Sequence, residues 1–593
     1  MHQNTIIDQT FETRKLLALA ISRQFFGCFI NYQMYSDWWL VNGIANYLAN
    51  LFYKKAFGNN EFKYQIYSYM KEICAYEKEN GYICLDFKVE GKEMSFSISS
   101  SLNASSSTSS GASGSTKYNF SIRHPLMLSS SLRRIADKKS FLVLRSIEDS
   151  IGNDVLLQVL NKQLVSAAEA VNHRFERHQF SHLLLSTESF QKQISSVSSK
   201  EIKSVVDQWV TRGGYIRFNI SSSYNRKRNC LEIEVKQDNL VQTKAAFSRY
   251  KYVGPLTVVV QELDGSFSHT IQLEENQIRY DIVLHSKGKR SKKKKIPLSN
   301  GEEIDIDFNQ FNDTDSPILW LRVDPEMKLI REIEIKQEGY QWQMQLKYER
   351  DICAQLDAVT RLKSFQAKDT RDLLASIVEN HEMYYHVRTG AANLLAEQSN
   401  GQLQLLQTFK KLFMYSTSQK LVKQNNFNDL QVYFMQKCLP VVMGKLRNTH
   451  NVCPNDVVTF IIDLIHFNEN GKNRFSDCYY KASLIDALNE TISLSTAGAA
   501  TNLDYVKSLN SNAELRSVVE EIVLRLNLEK FTPSYHYVIT CSCLRALRNL
   551  QKLGHSPENI NIFKQYTRYG TFEEVRKCAF EIIVRIFEGI ISR

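Results

Sequence analysis

The hydrophobic period of this chain changes twice, and those two changes limit its fold more than any other feature. Up to residue 212 the apolar residues recur at helical spacing. Gly213-Gly214 then opens a stretch of short runs rich in β-branched and aromatic residues, and from Tyr348 the helical spacing returns. A chain patterned in this way cannot close as one sheet or one bundle. At 593 residues it also exceeds what a single core organises. The expectation is a multidomain α and β chain: a helical domain at 1–212, a β-sandwich at 213–350 and an α-solenoid at 351–593.

Two helices dominate the first part, Thr13 to Phe29 (TRKLLALAISRQFFGCF) and Trp38 to Phe57 (WWLVNGIANYLANLFYKKAF). Both are too apolar for a solvated face, so both are expected to be central and buried. The Ser/Gly-rich tract from Ser99 to Thr116 cannot bury a core and is expected as a surface loop within that domain. Helical spacing resumes by Leu132 and continues through 156–164 and 201–210. The sandwich is expected from runs at Tyr215–Ser221, Cys230–Lys236, Leu256–Glu262, His269–Leu273, Ile318–Val323, Ile330–Ile335 and Tyr340–Leu346. Asp264-Gly265 makes a hairpin turn between the third and fourth. Beyond it, amphipathic helices at 372–380, 430–446, 456–467, 535–553 and 573–591 have lengths that suit a HEAT/ARM-like solenoid. No polar capping repeat follows the last of them, so an apolar edge is expected there.

Several chemistries are excluded by what the sequence lacks. Eleven cysteines include no CxxC pair, which argues for reduced thiols rather than a zinc ribbon or a redox motif. No apolar run reaches the ~18 residues that span a bilayer, and the opening MHQNTIIDQTFETRK has no signal-peptide core, so no membrane partner is expected. There is no Walker A loop, no GxGxxG and no GxSxG elbow; Gly91-Lys-Glu-Met-Ser carries only one loop glycine. No cofactor is expected.

Charge is informative only where it clusters. Lys plus Arg total 74 against 63 acids, a mild net charge of +11. Lys287, Lys289, Arg290, Lys292, Lys293, Lys294 and Lys295, however, place seven cations in nine residues. Such density is expected as an exposed loop of the sandwich. It reads as a nuclear import signal, a phosphate-binding loop or a solvated tip. No aromatic residues interleave for base stacking, so contact with DNA would be to the backbone. Arg226, Lys227 and Arg228 form a second basic cluster at a turn, where they can share a face with the first.

Histidine pairs invite a metal reading and do not sustain it. His381-Glu382-Met-Tyr-Tyr-His386 spaces its histidines at i,i+5, about 100° too far round a helix for the i,i+4 pair of a zincin. It is expected as polar positions of a solenoid helix. His178 and His182 do have i,i+4 spacing, with His173 upstream, but they lack a catalytic Glu and a third ligand and are expected on a solvated helix.

Arg23-Gln-Phe-Phe-Gly27, followed by Ser36-Asp-Trp-Trp-Leu-Val-Asn-Gly-Ile-Ala-Asn-Tyr47, resembles the M1 zinc aminopeptidases, whose pattern is HELAHQWFG, a Trp-rich turn and LNEGFAxY. The resemblance implies a thermolysin-like helical domain. Aligned on Gly27 and Gly43, the family's first zinc His falls at Leu19, its catalytic Glu at Ala20, its second His at Arg23 and its third ligand at Asn42. Its YEKG segment, with a catalytic Tyr, falls near Asp137-Lys138-Lys139-Ser140. None of these residues can do the family's chemistry, so no metal and no peptidase activity are expected.

Across nearly the whole chain, segments such as FSIRHPLMLS (120–129), YNRKRNCLEIEVKQD (224–238), KYVGPLTVVVQELDGSFSHTIQLEEN (251–276), SPILWLRVDPEM (316–327), RFSDCYYKASLIDAL (474–488) and SCLRALRNLQKLGH (542–555) resemble one group of TBP-associated factors, the TFIID subunit 2 family. That resemblance implies a nuclear, non-enzymatic scaffold of the general transcription factor TFIID. It implies contact with core-promoter DNA around the initiator region. The partners it implies are TFIID subunit 1, the tail of TFIID subunit 8 and the TBP-containing complex. Family members begin with a β-rich domain and a GAMEN-like segment ahead of the zinc helix, and their solenoid continues further. A peptidase-like domain truncated at its start and a solenoid truncated at its end are therefore expected.

Overall fold

The computed structural model describes residues 5–86, 95–96, 118–119, 130–172, 177–238, 251–286, 293–298, 300–307, 316–398, 401–415, 418–493 and 513–591. The Ser/Gly-rich tract therefore lies outside the described residues. The chain forms two compact units, one built mainly from Glu12 to Gln355, the other from Leu356 onward together with the start of the chain up to Phe11.

Among the described residues six helices of twelve residues or more precede the sandwich: α1 (Ile7–Phe25), α2 (Trp38–Phe57), α3 (Asn59–Asn80), α4 (Ser130–Ile151), α5 (Asn153–Asn172) and α6 (Thr187–Ser198). The second is the core. Trp39, Leu40, Val41, Ile44 and Ala45 are all buried, and Gly58, with φ +90°, ends the helix by donating its N–H to the Lys54 carbonyl. Gly43 lets α4 come close, since a Cβ there would lie 2.9 Å from Leu144 Cδ2 and 3.0 Å from the Ser140 carbonyl. By contrast, α1 is not the buried helix its composition led us to expect: Leu16, Leu17, Ile21 and Phe25 are all exposed. Apolar composition says that a face needs cover; it does not say that this chain supplies it.

Buried charge joins α3 to α4. The Lys139 ammonium, 0% exposed, donates to Glu77 Oε1 at 2.5 Å, to the Ile83 carbonyl at 2.8 Å and to the Gly214 carbonyl at 3.2 Å. These bonds satisfy all three donors of the ammonium, the condition under which a charge tolerates burial. They also tie the helices to the Gly213-Gly214 pair, where the change of period falls. Both glycines have positive φ, and a Cβ on Gly213 would lie 2.3 Å from the Ile83 carbonyl oxygen.

Nine strands follow among the described residues: β1 (Ile216–Asn225), β2 (Cys230–Asp238), β3 (Gly254–Glu262), β4 (Gly265–Leu273), β5 (Gln277–Val283), β6 (Lys293–Pro297), β7 (Glu303–Asp307), β8 (Ile318–Val323) and β9 (Arg331–Lys336). They form a four-stranded sheet in the order β9-β1-β2-β5, a three-stranded sheet β8-β3-β4 and a two-stranded β6-β7 pair. Neighbours are antiparallel except β9, which runs parallel to β1 with Ile333 opposite Phe218. Alternation sets the buried faces: Ile216, Phe218 and Ile220 on β1, Leu256, Val258 and Val260 on β3.

Two sequence expectations fail in this region. Tyr340–Leu346 is a helix, α7 (Gly339–Tyr348). Its Tyr340, Trp342, Met344 and Leu346 alternate as a strand would, but Trp342, Gln345 and Leu346 also share a helical face, and all three are buried. Gln341 settles the competition locally by accepting the Glu338 N–H at 3.1 Å, one arm of a capping box. The basic run is not simply a loop either, for Lys293, Lys294 and Lys295 begin β6. The reason is the strand opposite. In the backbone register of the β6-β7 pair Lys293 stands opposite Asp307, Lys294 opposite Ile306 and Lys295 opposite Asp305, so two of the three lysines face an acidic position.

The second unit continues through α8 (Ile352–Leu362), α9 (Lys368–Glu379), α10 (Tyr385–Glu397), α11 (Gly401–Phe413), α12 (Leu430–Gly444), α13 (Asn455–His466), α14 (Cys478–Thr491), α15 (Ala513–Leu528), α16 (Val538–Lys552) and α17 (Glu573–Ile591). Neighbouring helices lock by close approach: a Cβ on Gly444 of α12 would lie 2.4 Å from the Ala487 carbonyl of α14. The start of the chain belongs here. The Asp8 carboxylate accepts bonds from Tyr433 Oη and Lys437 Nζ, each at 2.5 Å, and Ser476 N–H bonds the Thr5 carbonyl at 2.8 Å.

Candidate functional site

The positions assigned to zinc chemistry fall on two helices. Leu19, Ala20 and Arg23 lie on α1, and Asn42 lies on α2. The Arg23 guanidinium stands 3.6 Å from the Asp137 carboxylate of α4. Burial pushes the Asp137 carboxyl up to about 6, against the pull of Arg23 and Arg133. Asn42 is occupied by its own helix, its Nδ2 donating to the Trp38 carbonyl at 3.0 Å. Asn46 and Asn50 repeat this bond one and two turns on. Leucine and alanine offer no donor atom, arginine is a cation, and Asn42 points its amide at backbone. These residues do not fit a zinc ion. Of the segment beside them, Lys138 pairs with Glu72, Lys139 is the buried ammonium and Ser140 Oγ bonds the Ala136 carbonyl at 2.8 Å.

The histidine pairs also resolve as structure. His178 and His182 lie in a short 3₁₀ helix, Arg177–Leu183, where a solvated helix was expected. His182 is exposed. His381 and Glu382 occupy the turn before α10 and His386 lies within it, so they are not positions of one helix. His173 lies outside the described residues. No group of three or more His, Cys, Asp or Glu able to hold a metal ion occurs among the described residues.

The turn that carries one basic cluster is bonded to the residue that precedes the other. Arg226, Lys227 and Arg228 form the turn joining β1 to β2, and all three are exposed. From the same turn, Asn229 Nδ2 donates to the Leu284 carbonyl at 3.1 Å and the Ser286 carbonyl at 3.3 Å. Ser286 is the residue immediately before Lys287. The other sheet holds the same root: Glu262 Oε2 accepts the N–H groups of His285 at 2.9 Å and Ser286 at 2.8 Å, and Asp264 N–H bonds Ser286 Oγ at 3.0 Å. On the far side, Gln261 Nε2 bonds the Pro297 carbonyl at 3.0 Å, and Ile296 and Leu298 enter a core with Leu263, Trp320 and Met344.

The cations at 287–292 lie outside the described residues, but both ends of the segment are anchored. Lys295 is exposed. Arg228 is not free: its guanidinium bonds Asp281 at 2.5 Å, which raises its pKa above the ordinary arginine value. Four acids, Glu302, Glu303, Asp305 and Asp307, also sit within the hairpin, leaving a local surplus of three cations where the run alone suggested seven. That offset was legible in GEEIDID, whose alternation also marks the strand that the density of lysine concealed.

Comparison with known proteins defines the class first. Residues 213–338 match a family model described as a TAF2 Ig-like domain, and residues 339–589 match one described as TAF2-like, TPR repeats, where HEAT/ARM-like repeats had been expected. An Ig-like sandwich followed by helical repeats is thus the organisation of this part of the chain. The chain belongs to the TFIID subunit 2 family. It is 43% identical to transcription initiation factor TFIID subunit 2 of Gallus gallus, over 98% of this chain and 48% of that protein. The Drosophila melanogaster relative is 39% identical, over 98% and 47%. The chain spans about half the length of the curated relatives it matches. Among solved structures, a crystal structure of Legionella pneumophila aminopeptidase A in complex with aspartic acid aligns with a TM-score of 0.52 at 11% identity, covering 96% of this chain and 55% of that one. That likeness concerns the fold alone.

Proposed function

We propose that this chain acts in the nucleus as a non-enzymatic part of TFIID, scaffolding the complex and helping to hold core-promoter DNA around the initiator region for initiation by RNA polymerase II. On this reading its partners are TFIID subunit 1, TFIID subunit 8 and the TBP-containing complex. The helices ahead of the sandwich are the remnant of a thermolysin-like domain, in which Leu19, Ala20, Arg23 and Asn42 replace the zinc ligands and the general base. The repeats form a HEAT-like solenoid. The observation that carries the DNA contact is the Asn229 bridge, which roots Arg226 and Lys227 beside the segment that begins at Lys287. Two basic elements on one support suit a phosphate backbone, which asks for charge at fixed spacing and no base edges.

Replacing Lys287, Lys289, Arg290 and Lys292–Lys295 by Ala should weaken DNA binding about equally across sequences. It should also lower the salt slope by about 0.9 for each phosphate that the variant no longer neutralises, as read by fluorescence anisotropy at several salt concentrations. Unchanged affinity and slope would make the segment an import signal. Zinc found by elemental analysis, or cleavage of an aminoacyl reporter, would overturn the non-enzymatic reading. A second reading, a protein-interaction scaffold without a DNA role, is favoured by the exposed Phe580, Val584 and Phe587 on α17. Deleting the sandwich or the repeats and scoring co-purification with TFIID separates the two.

A further inference from the structure

Glu262, at the end of β3, is 0% exposed, yet only one of its two carboxylate oxygens makes hydrogen bonds. Oε2 accepts the N–H groups of His285 and Ser286, while Oε1 is buried without a hydrogen-bond partner. Opposite Oε1 stands Nδ1 of the His285 ring, 3.6 Å away. That ring stacks on Phe267 of β4, with centroids 3.9 Å apart, and its side chain is still 55% exposed. The residues on either side of it are held as well. Asn229 Nδ2 bonds the carbonyls of Leu284 and Ser286, and the Leu284 N–H bonds the Asn229 carbonyl at 3.0 Å. Both sheets thus clamp an exposed imidazole against the turn that carries Arg226 and Lys227. We propose that His285, positioned by Glu262, is a proton-linked contact for DNA phosphate, an inference that rests on the DNA-binding function proposed for this chain.

The chemistry is that of an imidazole between two anions. Histidine is the side chain whose charge changes most readily between pH 5 and 8. A phosphate oxygen on one side and the Glu262 carboxylate on the other both favour the charged ring. That ring donates from each nitrogen, Nδ1–H to Glu262 Oε1 and Nε2–H to the phosphate, and its extra proton comes from solvent. Protonation also supplies the donor that the buried Oε1 lacks. His269, two residues along β4 from Phe267, also feels Glu262. Burial lowers its pKa below the ordinary histidine value, against the pull of Glu262, and His285 lowers it further. His269 is therefore the uncharged neighbour at neutral pH. Beside these lie Asp264, whose N–H bonds Ser286 Oγ at 3.0 Å, and the cations of the turn, of which Arg228 is already paired with Asp281.

The test is fluorescence anisotropy of the full chain with a labelled DNA duplex at about pH 6, 7 and 8 and constant ionic strength. The parent should bind about fivefold more tightly at the lowest pH than at the highest, beyond any change shown by His285→Gln. Its salt slope should steepen by about 0.9 over the same interval, the value of one phosphate contact, while that of His285→Gln stays constant. His285→Lys, charged throughout, should bind at the highest pH as tightly as the parent does at the lowest. A ring with only a packing role would not be rescued by lysine. The proposal is overturned if the parent and His285→Gln share one pH dependence, or if His285→Lys binds no better than His285→Gln at the highest pH. Either result leaves the DNA-binding function standing. A chain that binds no duplex at any pH sinks that function and this contact with it.

Discussion

Lys139 shows how one residue can organise a domain. Its ammonium is sealed from water, so removing either partner strands a charge. Lys139→Met should destabilise the unit by about 3–5 kcal/mol in urea unfolding, and Lys139→Met with Glu77→Leu should recover much of that loss. If the double variant is no more stable than the single one, the pair is not the cause. Asp137 makes the opposite prediction. Its folded carboxyl titrates near 6 against an ordinary 3.8, so the folded state holds that proton more tightly than the unfolded chain does. Stability from this group is present below pH 4 and lost as pH rises towards 6. The full shift is worth about 3 kcal/mol, nearer 2 after allowing for a partly exposed side chain. Asp137→Asn should flatten that segment of a melting temperature against pH curve; an unaltered curve would place the titration elsewhere.

At the scale of elements, the junction between helices and sheet turns on backbone approach. Gly213 and Gly301 share positive φ but differ in surroundings, the first pressed on the Ile83 carbonyl and the second with nothing within 4 Å. Gly301→Ala should cost about 1 kcal/mol, the penalty of a left-handed alanine. Gly213→Ala should cost at least about 3 kcal/mol, because backbone must also move; equal losses by chemical denaturation would refute the close approach. Elements with one dominant signal were legible, as α2 between Trp38 and Phe57 and α17 between Glu573 and Ile591 show. Those carrying two signals were not. In α7 alternation and helical spacing coexist, and only the core formed by Trp320 and Met344 chooses between them. In β6, charge density concealed a strand whose acidic partner strand supplies what a lone polylysine lacks.

For the molecule as a whole, the notable property is what it leaves uncovered. Leu17, Ile21 and Phe25 form a stripe on α1, and Phe580, Val584 and Phe587 form another on α17. Surfaces of this kind drive association. Leu17→Glu with Ile21→Glu should leave unfolding stability within about 0.5 kcal/mol of the parent and shift sedimentation velocity profiles towards monomer. A large stability loss would mean that the stripe is packed within the chain. Net charge tells a similar story, since the seven cations at 287–295 meet four acids at 302–307 and leave only three of the +11 there.

By itself the sequence determined the order of helix, sheet and helix, the apolar faces, and the identity of the residues at Leu19, Ala20, Arg23 and Asn42, because periodicity and side-chain chemistry are local properties. Only the tertiary structure decided that Arg23 meets Asp137, that Asn229 binds the root of the basic segment, that Asp8 docks on Tyr433, and that Glu262 accepts the His285 N–H. Each of these joins residues distant in the chain through burial and hydrogen bonding, and no local pattern records which distant group will satisfy a buried polar atom.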